Sequence, residues 1–262
     1  MERMHIYPAL RESIDNGVPV ASTTVIAGPD GVGNKMLVFA DGKTQGTLGG
    51  QRLDAGVSEI AMRLLREERA QTESFEIDGQ RYDVFVDVFP ALHQLVIVGA
   101  THTAAPLSQF AKALGYAVII TDARGAFAQP ERFPHADSVI KGWPQDVLPR
   151  IRLDASTYVV LLSHDPKFDE PTLEVVLPSA VPYIGAIGSR RTQIQRFERL
   201  RQRGFTEEQL ARVYGPVGLD IGGTSVEETA LAILAEVTAV RHGRDGGSLR
   251  HLLAELGTSV HP

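Results

Sequence analysis

The chain has 262 residues, 43% hydrophobic and 22% charged, the proportions of a folded protein with a sizeable core rather than a disordered chain. Lys and Arg number 26 against 32 Asp and Glu, a net charge of −6, and aromatic residues make up 6%, a balance that speaks against a dedicated nucleic-acid binder. Cysteine is absent, which removes disulfides, thiolate nucleophiles, Cys-ligated zinc and iron–sulfur clusters from the chemistry of this chain.

The elements read in order as follows. Glu2–Asn16 is a short helix. Ala21–Ala27 is a β-branched strand and Lys35–Ala40 a second, closed by the Asp41-Gly42 turn signal. Thr44–Leu48 returns as a third strand. In Asp54–Glu68 the residues Val57, Ile60, Ala61, Leu64 and Leu65 recur at spacings of three and four, the apolar face of a helix. Ser74–Ile77 and Tyr82–Phe89 flank Asp78-Gly79 as a hairpin. These elements make a small α+β unit over residues 1–90.

After Phe89-Pro90 the pattern changes. Gln94–Val98, Tyr116–Thr121, Ala136–Ile140, Tyr158–Leu162 and Tyr183–Ile187 are short apolar strands. They alternate with helices at about Thr103–Leu114, Asp146–Ile151, Glu170–Leu177 and Arg190–Gln202. Strands of this kind are buried on both faces of a parallel sheet, and the alternation predicts a Rossmann-like, doubly wound α/β domain over 91–243. Val226–Arg241 closes it, with Ser225 and Glu228 as a capping box. Residues 244–262 form a tail whose Leu249–Leu256 stretch is amphipathic. No apolar run approaches the ~18 residues of a membrane span. Met1–Asp15 is charged throughout, unlike a signal peptide, so a cytoplasmic setting is expected.

Five segments carry candidate chemistry. Gly99-Ala100-Thr101-His102-Thr103 joins a buried strand to a helix, where backbone N–H groups face an anion, and Asp122 ends the next strand, where an acid can take a ribose hydroxyl pair. Thr101 stands where a dinucleotide fingerprint wants glycine. Gly28–Lys35 nearly spells a P-loop, but Asn34 intervenes, Met36 replaces the Mg²⁺ hydroxyl and a strand follows, so ATP hydrolysis is rejected. Gly49-Gly50-Gln51 precedes a helix and suits either an anion or a flexible connector. Gly188-Ser189-Arg190-Arg191 puts two guanidinium groups at a helix N-terminus, unfavourable unless an anion is near. Gly218–Thr224 holds one buried-looking acid, Asp220. The Lys and Arg of Arg196–Arg203 read as a solvated face, and no His cluster or GxSxG elbow suggests a metal or a serine nucleophile.

On these segments the chain resembles the XdhC/CoxI family, accessory proteins of molybdenum hydroxylases such as xanthine and carbon monoxide dehydrogenases. The residues that carry the resemblance are Lys35–Gly42, Gly46–Gly50, Val96–Ala100, Thr121–Arg124, Ile187–Arg191, Gly218–Gly222 and Glu227–Glu236. It implies a chaperone rather than an enzyme, one that binds and protects molybdenum cofactor (the molybdopterin form) and delivers it to an apo-hydroxylase, with a cofactor sulfurase as a second partner and a homodimer as the assembly. The cofactor would be held by Lys35, Gly49, Gly50 and Gln51 in the first unit. In the second it would be held by Gly99, Ala100, Thr101, His102, Thr103, Asp122, Arg124, Gly188, Ser189, Arg190, Arg191, Asp220 and Gly222. Gln51 replaces a cysteine found in many members. The alternatives are an NAD(P)-dependent oxidoreductase with Asp122 on the ribose and His102 as proton donor, and a scaffold that has lost its ligand.

Overall fold

The structure is a computed structural model, and it describes residues 6–250. The chain divides into two compact units between Leu92 and His93.

In the first unit, α1 (Ile6–Asp15) precedes β1 (Val20–Ala27), β2 (Lys35–Phe39), β3 (Thr44–Gly46), α2 (Gln51–Glu67), β4 (Gln71–Ile77) and β5 (Gln80–Phe89). The strands form one antiparallel sheet in the order β3-β2-β1-β5-β4. Leu53, Val57, Ala61, Leu64 and Leu65 of α2 are buried and pack with Ala21, Val25, Met36, Val38, Val84 and Val86. Each fully buried Val or Leu contributes about 1.5–3 kcal/mol. A smaller cluster of Ile6, Val20 and Leu37, flanked by Ala9 and Leu10, seats α1. The near-P-loop Gly28–Lys35 is a hairpin connection: Gly33 N–H donates to Val25 O and Val25 N–H to Asn34 O. The expected first helix begins within residues 1–5, which lie outside the described residues, as does most of the amphipathic tail.

In the second unit, β6 (Gln94–Val98), α3 (Ala104–Ala113), β7 (Ala117–Asp122), β8 (Ser138–Lys141) and α4 (Pro144–Val147) come first. Then follow β9 (Thr157–Leu161), α5 (Pro166–Val176), β10 (Tyr183–Ala186), α6 (Arg190–Gln202), α7 (Glu207–Leu210), β11 (Val213–Tyr214) and α8 (Val226–Arg241). All six strands pair in parallel, in the order β11-β10-β9-β6-β7-β8. This is the Rossmann order, and its switch point lies between β6 and β9. Every residue of β6 and of β9 is buried, as the uninterrupted apolar runs require. Leu107, Ala111, Ala230, Ile233 and Val237 cover one face of the sheet, and Leu173, Val176, Leu177 and Leu200 cover the other. The two-residue β11 and the single turn α7 have no periodicity to announce them, and neither is expected from the sequence.

Candidate functional site

Parallel strands end on one edge, and in an open α/β sheet ligands bind outside that edge at the switch point. Here the edge is assembled by short backbone bonds. Gly99 N–H donates to Thr121 O at 2.8 Å and Leu162 N–H to Val98 O at 2.8 Å. Gly99 has φ +110°, and a Cβ there would lie 2.9 Å from the Ser163 nitrogen and 3.1 Å from the Leu162 carbonyl carbon. Only glycine lets the loops after β6 and β9 pass this closely. Beyond it Thr101 is half-buried, His102 exposed and Thr103 buried. The first turn of α3 holds no acidic residue, and Thr103 provides no side-chain cap.

Asp122 closes β7 and is buried, 2% exposed. Its Oδ2 accepts from Ala100 N–H at 2.9 Å and from Arg124 Nη2 at 2.7 Å, while its Oδ1 accepts from the Arg124 backbone N–H and Nε, each at 2.9 Å. Burial pushes the carboxyl up, but the Arg124 guanidinium and the two backbone N–H groups outweigh it and hold Asp122 below the ordinary aspartate value. The carboxylate therefore acts as a clamp that joins the β6 and β7 loops. The Arg124 guanidinium lies 4.3 Å from the Phe127 ring centre and 5.2 Å from that of Phe168. Trp143, directly after β8 in Gly142-Trp143, stacks on Phe168 at 5.0 Å. Phe127, Trp143 and Phe168 are not among the residues expected at the site. The signal available was one tryptophan placed just past a strand end, as Asp122 ends its own strand.

At the end of β10, Gly188 has φ +138° and Ser189 caps α6 by accepting from Thr192 N–H at 3.2 Å. Arg190 and Arg191 are exposed, no acid lies in that first turn, and among the described residues neither guanidinium has a partner. Beneath them Arg196 is 1% exposed, contrary to the solvated face expected of Arg196–Arg203. It donates to Asp169 Oδ2 at 2.5 Å, Gln193 Oε1 at 2.5 Å and Ile187 O at 3.0 Å, while Gln193 Nε2 donates to Ala186 O at 2.8 Å. This buried set fixes the backbone that leads into Gly188. Arg199 and Arg203 turn to Glu170. Asp169 Oδ1 is buried without a hydrogen bond, and desolvation, opposed by Arg196, raises this carboxyl to about 6.

The entrances of α5 and α8 are already filled. Asp165 caps α5 from Lys167 N–H at 3.0 Å. Glu228 takes the N–H groups of Thr224 and Ser225 at 2.7 and 2.9 Å, within the expected capping box of α8. Asp220, expected to be buried, is exposed, as is Gly222. The Gly218 loop instead hangs on α8: Gly218 N–H and Tyr183 Oη both donate to Glu236 Oε2, at 2.9 and 2.6 Å.

In the first unit Gly49, Gly50 and Gln51 line a cleft of about 280 Å³ with Asp30, Arg52, Asp78 and Tyr82. Asp54 orders the entry to α2 by accepting from Leu48 N–H at 2.8 Å and Thr47 Oγ1 at 2.7 Å. Arg52 pairs with Asp78 at 2.5 Å and Tyr82 Oη donates to Asp30 at 3.0 Å. Lys35 stands apart from this cleft on β2, where its Nζ donates to Thr24 Oγ1 at 2.6 Å. Among the described residues no group of three or more His, Asp or Glu is placed to hold a metal ion.

Residues 95–237 match the XdhC Rossmann domain, and residues 13–76 match the XdhC and CoxI family. The chain belongs to the XdhC/CoxI family. The uncharacterized protein YqeB of Escherichia coli K12 is 31% identical over 231 residues, covering 81% of this chain and 41% of that protein. A Bacillus subtilis 168 protein named as a probable xanthine dehydrogenase subunit is 28% identical over 162 residues, 62% of this chain and 47% of its own length. The E. coli K12 molybdenum cofactor insertion chaperone PaoD is 34% identical over 90 residues, 34% of this chain and 28% of its own. This XdhC/CoxI chain thus spans less than half the length of each of these three relatives. The crystal structure of a Bacillus halodurans xanthine dehydrogenase matches at a TM-score of 0.54 and 20% identity, over 94% of this chain and 98% of that one, a likeness of fold.

Proposed function

We propose that this protein is an accessory factor of molybdenum-enzyme maturation, one that binds molybdenum cofactor through its phosphate and passes it to an apo-hydroxylase of the xanthine or carbon monoxide dehydrogenase type. Membership of the XdhC/CoxI family supports the reading, as do relatives named as a molybdenum cofactor insertion chaperone and a probable xanthine dehydrogenase subunit. The observation that carries it is the entrance to α6. Two exposed guanidinium groups sit there against the positive end of the helix dipole with no carboxylate to offset them, an arrangement that an anionic ligand stabilises.

The donor set suits the cofactor's anionic group. Arg190 and Arg191 would meet the phosphate, with Gly188 and Ser189 supplying the close backbone. In the loop Gly99–Thr103 the N–H groups of Gly99, Ala100 and Thr101 are taken by Thr121 O, Asp122 and Gly99 O, so the anion reading there rests on His102 and Thr103 alone. The first unit has a separate cleft of its own, where Gly49, Gly50 and Gln51, beside Asp30 and Asp78, offer mixed donors and acceptors of the kind a polar ring edge pairs with. The molybdenum centre, when carried, supplies redox chemistry to the recipient enzyme; this chain binds and shields. A cofactor sulfurase as second partner, a homodimer and a cytoplasmic setting belong to the same reading. The oxidoreductase alternative, as read with Asp122 on a bare ribose diol, is disfavoured in that form because both oxygens of Asp122 already accept from Ala100 and Arg124.

The test is cofactor retention. Wild type purified from cells that make the cofactor should carry molybdenum and pterin. The double variant Arg190→Ala, Arg191→Ala should lose both while keeping its fold by circular dichroism. A ligand held at about 100 times its Kd would add ~2.7 kcal/mol of stability, so the wild type should also melt higher with cofactor than without. Equal retention by the two proteins would remove the site, and a wild type free of molybdenum under these conditions would remove the function.

A further inference from the structure

We propose that the ends of β7 and β8 form a nucleotide subsite whose ligand carries a phosphomonoester on its ribose, with the base on Trp143 and the phosphate between Arg124 and Lys141. The proposal goes beyond the maturation reading and uses different strand ends from the Arg190–Arg191 pair.

Four observations carry it. First, the acid that would ordinarily meet an unphosphorylated ribose is consumed, since Asp122 accepts four hydrogen bonds from within the protein. A bare ribose diol finds no free acceptor there. Second, Asp122 engages the backbone N–H, Nε and Nη2 of Arg124, which leaves Nη1 as an unused donor on an exposed side chain whose plane is held against Phe127. Third, Lys141 ends β8 beside it. A Cβ on Gly125 would lie 2.9 Å from the Lys141 Nζ, so the ammonium group rests over the backbone next to Arg124. Lys141 is exposed and has no carboxylate partner among the described residues. The acid that acts on Arg124 besides Asp122 is Asp165, through space. Two neighbouring cations, of which only Arg124 is paired with a carboxylate, suit a dianion.

Fourth, Trp143 is 43% and Phe127 38% exposed at the same strand ends. Trp143 stacks on buried Phe168, which fixes the indole while leaving part of it open. Fixed aromatic surface next to the unpaired Lys141 and the free Nη1 of Arg124 is the chemistry that receives a base and its phosphate.

Trp143 is the only tryptophan of the chain, so its fluorescence reports the subsite directly. The full chain is titrated with adenosine 2′,5′-bisphosphate, adenosine 5′-monophosphate and inorganic phosphate. The bisphosphate should quench the emission and bind about tenfold or more tighter than the monophosphate, the advantage of one charge-assisted phosphate contact. Lys141→Ala should abolish that preference while leaving the quench by the monophosphate. Trp143→Phe should remove the signal and retain binding by calorimetry. Equal affinity for the two nucleotides, a preference that survives in Lys141→Ala, or no binding of either nucleotide overturns the subsite. No molybdenum compound is present, so a negative result here leaves the retention experiment on Arg190 and Arg191 untouched, and the reverse also holds.

Discussion

Two buried carboxylates on the same sheet edge respond to acid in opposite directions. Asp122 is held below its ordinary value by Arg124 and two N–H groups against the effect of burial. Its stabilisation is present above the unfolded pKa and is lost as pH falls through the depressed folded value. Asp169 is raised from 3.8 to about 6, mainly by desolvation, consistent with its unpartnered Oδ1. Its native state takes up a proton that the unfolded chain does not, so its contribution is fully present below the unfolded value of 3.8 and is lost as pH rises through about 6. Asp169→Asn keeps an oxygen for Arg196 and removes the titration. In urea unfolding, the wild type should gain on Asp169→Asn when pH is lowered from about 7 to about 4; an unchanged difference would contradict the raised value. The window of Asp122→Asn lies below 3.8 instead. This variant should lose about 1.5–3 kcal/mol at neutral pH, the worth of a hydrogen bond to a charged group, and a loss below about 0.5 kcal/mol, that of an ordinary surface change, would mean that the clamp is not holding the two loops.

At the scale of elements, much of the fold was legible because burial on both faces leaves an unmistakable mark. Gln94–Val98, Arg190–Gln202 and Val226–Arg241 are placed by the sequence pattern at the bounds observed, and the capping box of Ser225 and Glu228 is formed. What escaped did so for physical reasons. The buried face of α6 is Gln193, Arg196 and Leu200, a helical spacing filled mostly by polar side chains, so hydrophobic periodicity cannot reveal it. The burial of Arg196 depends on Asp169, 27 residues earlier in sequence, and no local reading contains that pairing. Asp220 looked buried because glycines surround it, whereas the loop is anchored by its neighbours Gly218 and Leu219 to α8. At the site, the arginines of the α6 entrance were legible because a cation at a helix N-terminus is locally unfavourable. The Trp143, Phe127 and Lys141 grouping was not, since it takes the strand order β6-β7-β8 to bring those ends together. Ser189→Ala should cost about 1 kcal/mol through the lost cap and should loosen the Gly188 turn, read as faster amide exchange over the first turn of α6; unchanged exchange would show that the buried Arg196 set alone holds the turn.

At the scale of the molecule, each hydrophobic cluster lies wholly inside one unit. Leu64 is fully buried in the first, while the lone tryptophan lies in the second. Leu64→Ala should therefore destabilise the first unit by about 2–5 kcal/mol, seen as earlier loss of resistance to proteolysis there. The denaturation midpoint followed by Trp143 emission should stay where it was, and a matching shift of that midpoint would show that the units unfold as one.

The borders of the two sheets set a further limit. β3 is three residues long and β11 two, and the four-residue β8 finishes on Lys141. The remaining border strand, β4, carries Glu73 and Glu76, with Arg63 reaching across to Glu73. Short or charge-bearing margins resist being extended by a foreign strand. Any polypeptide that binds these margins is therefore directed to side-chain topography rather than to strand addition, which leaves little template for fibrous stacking.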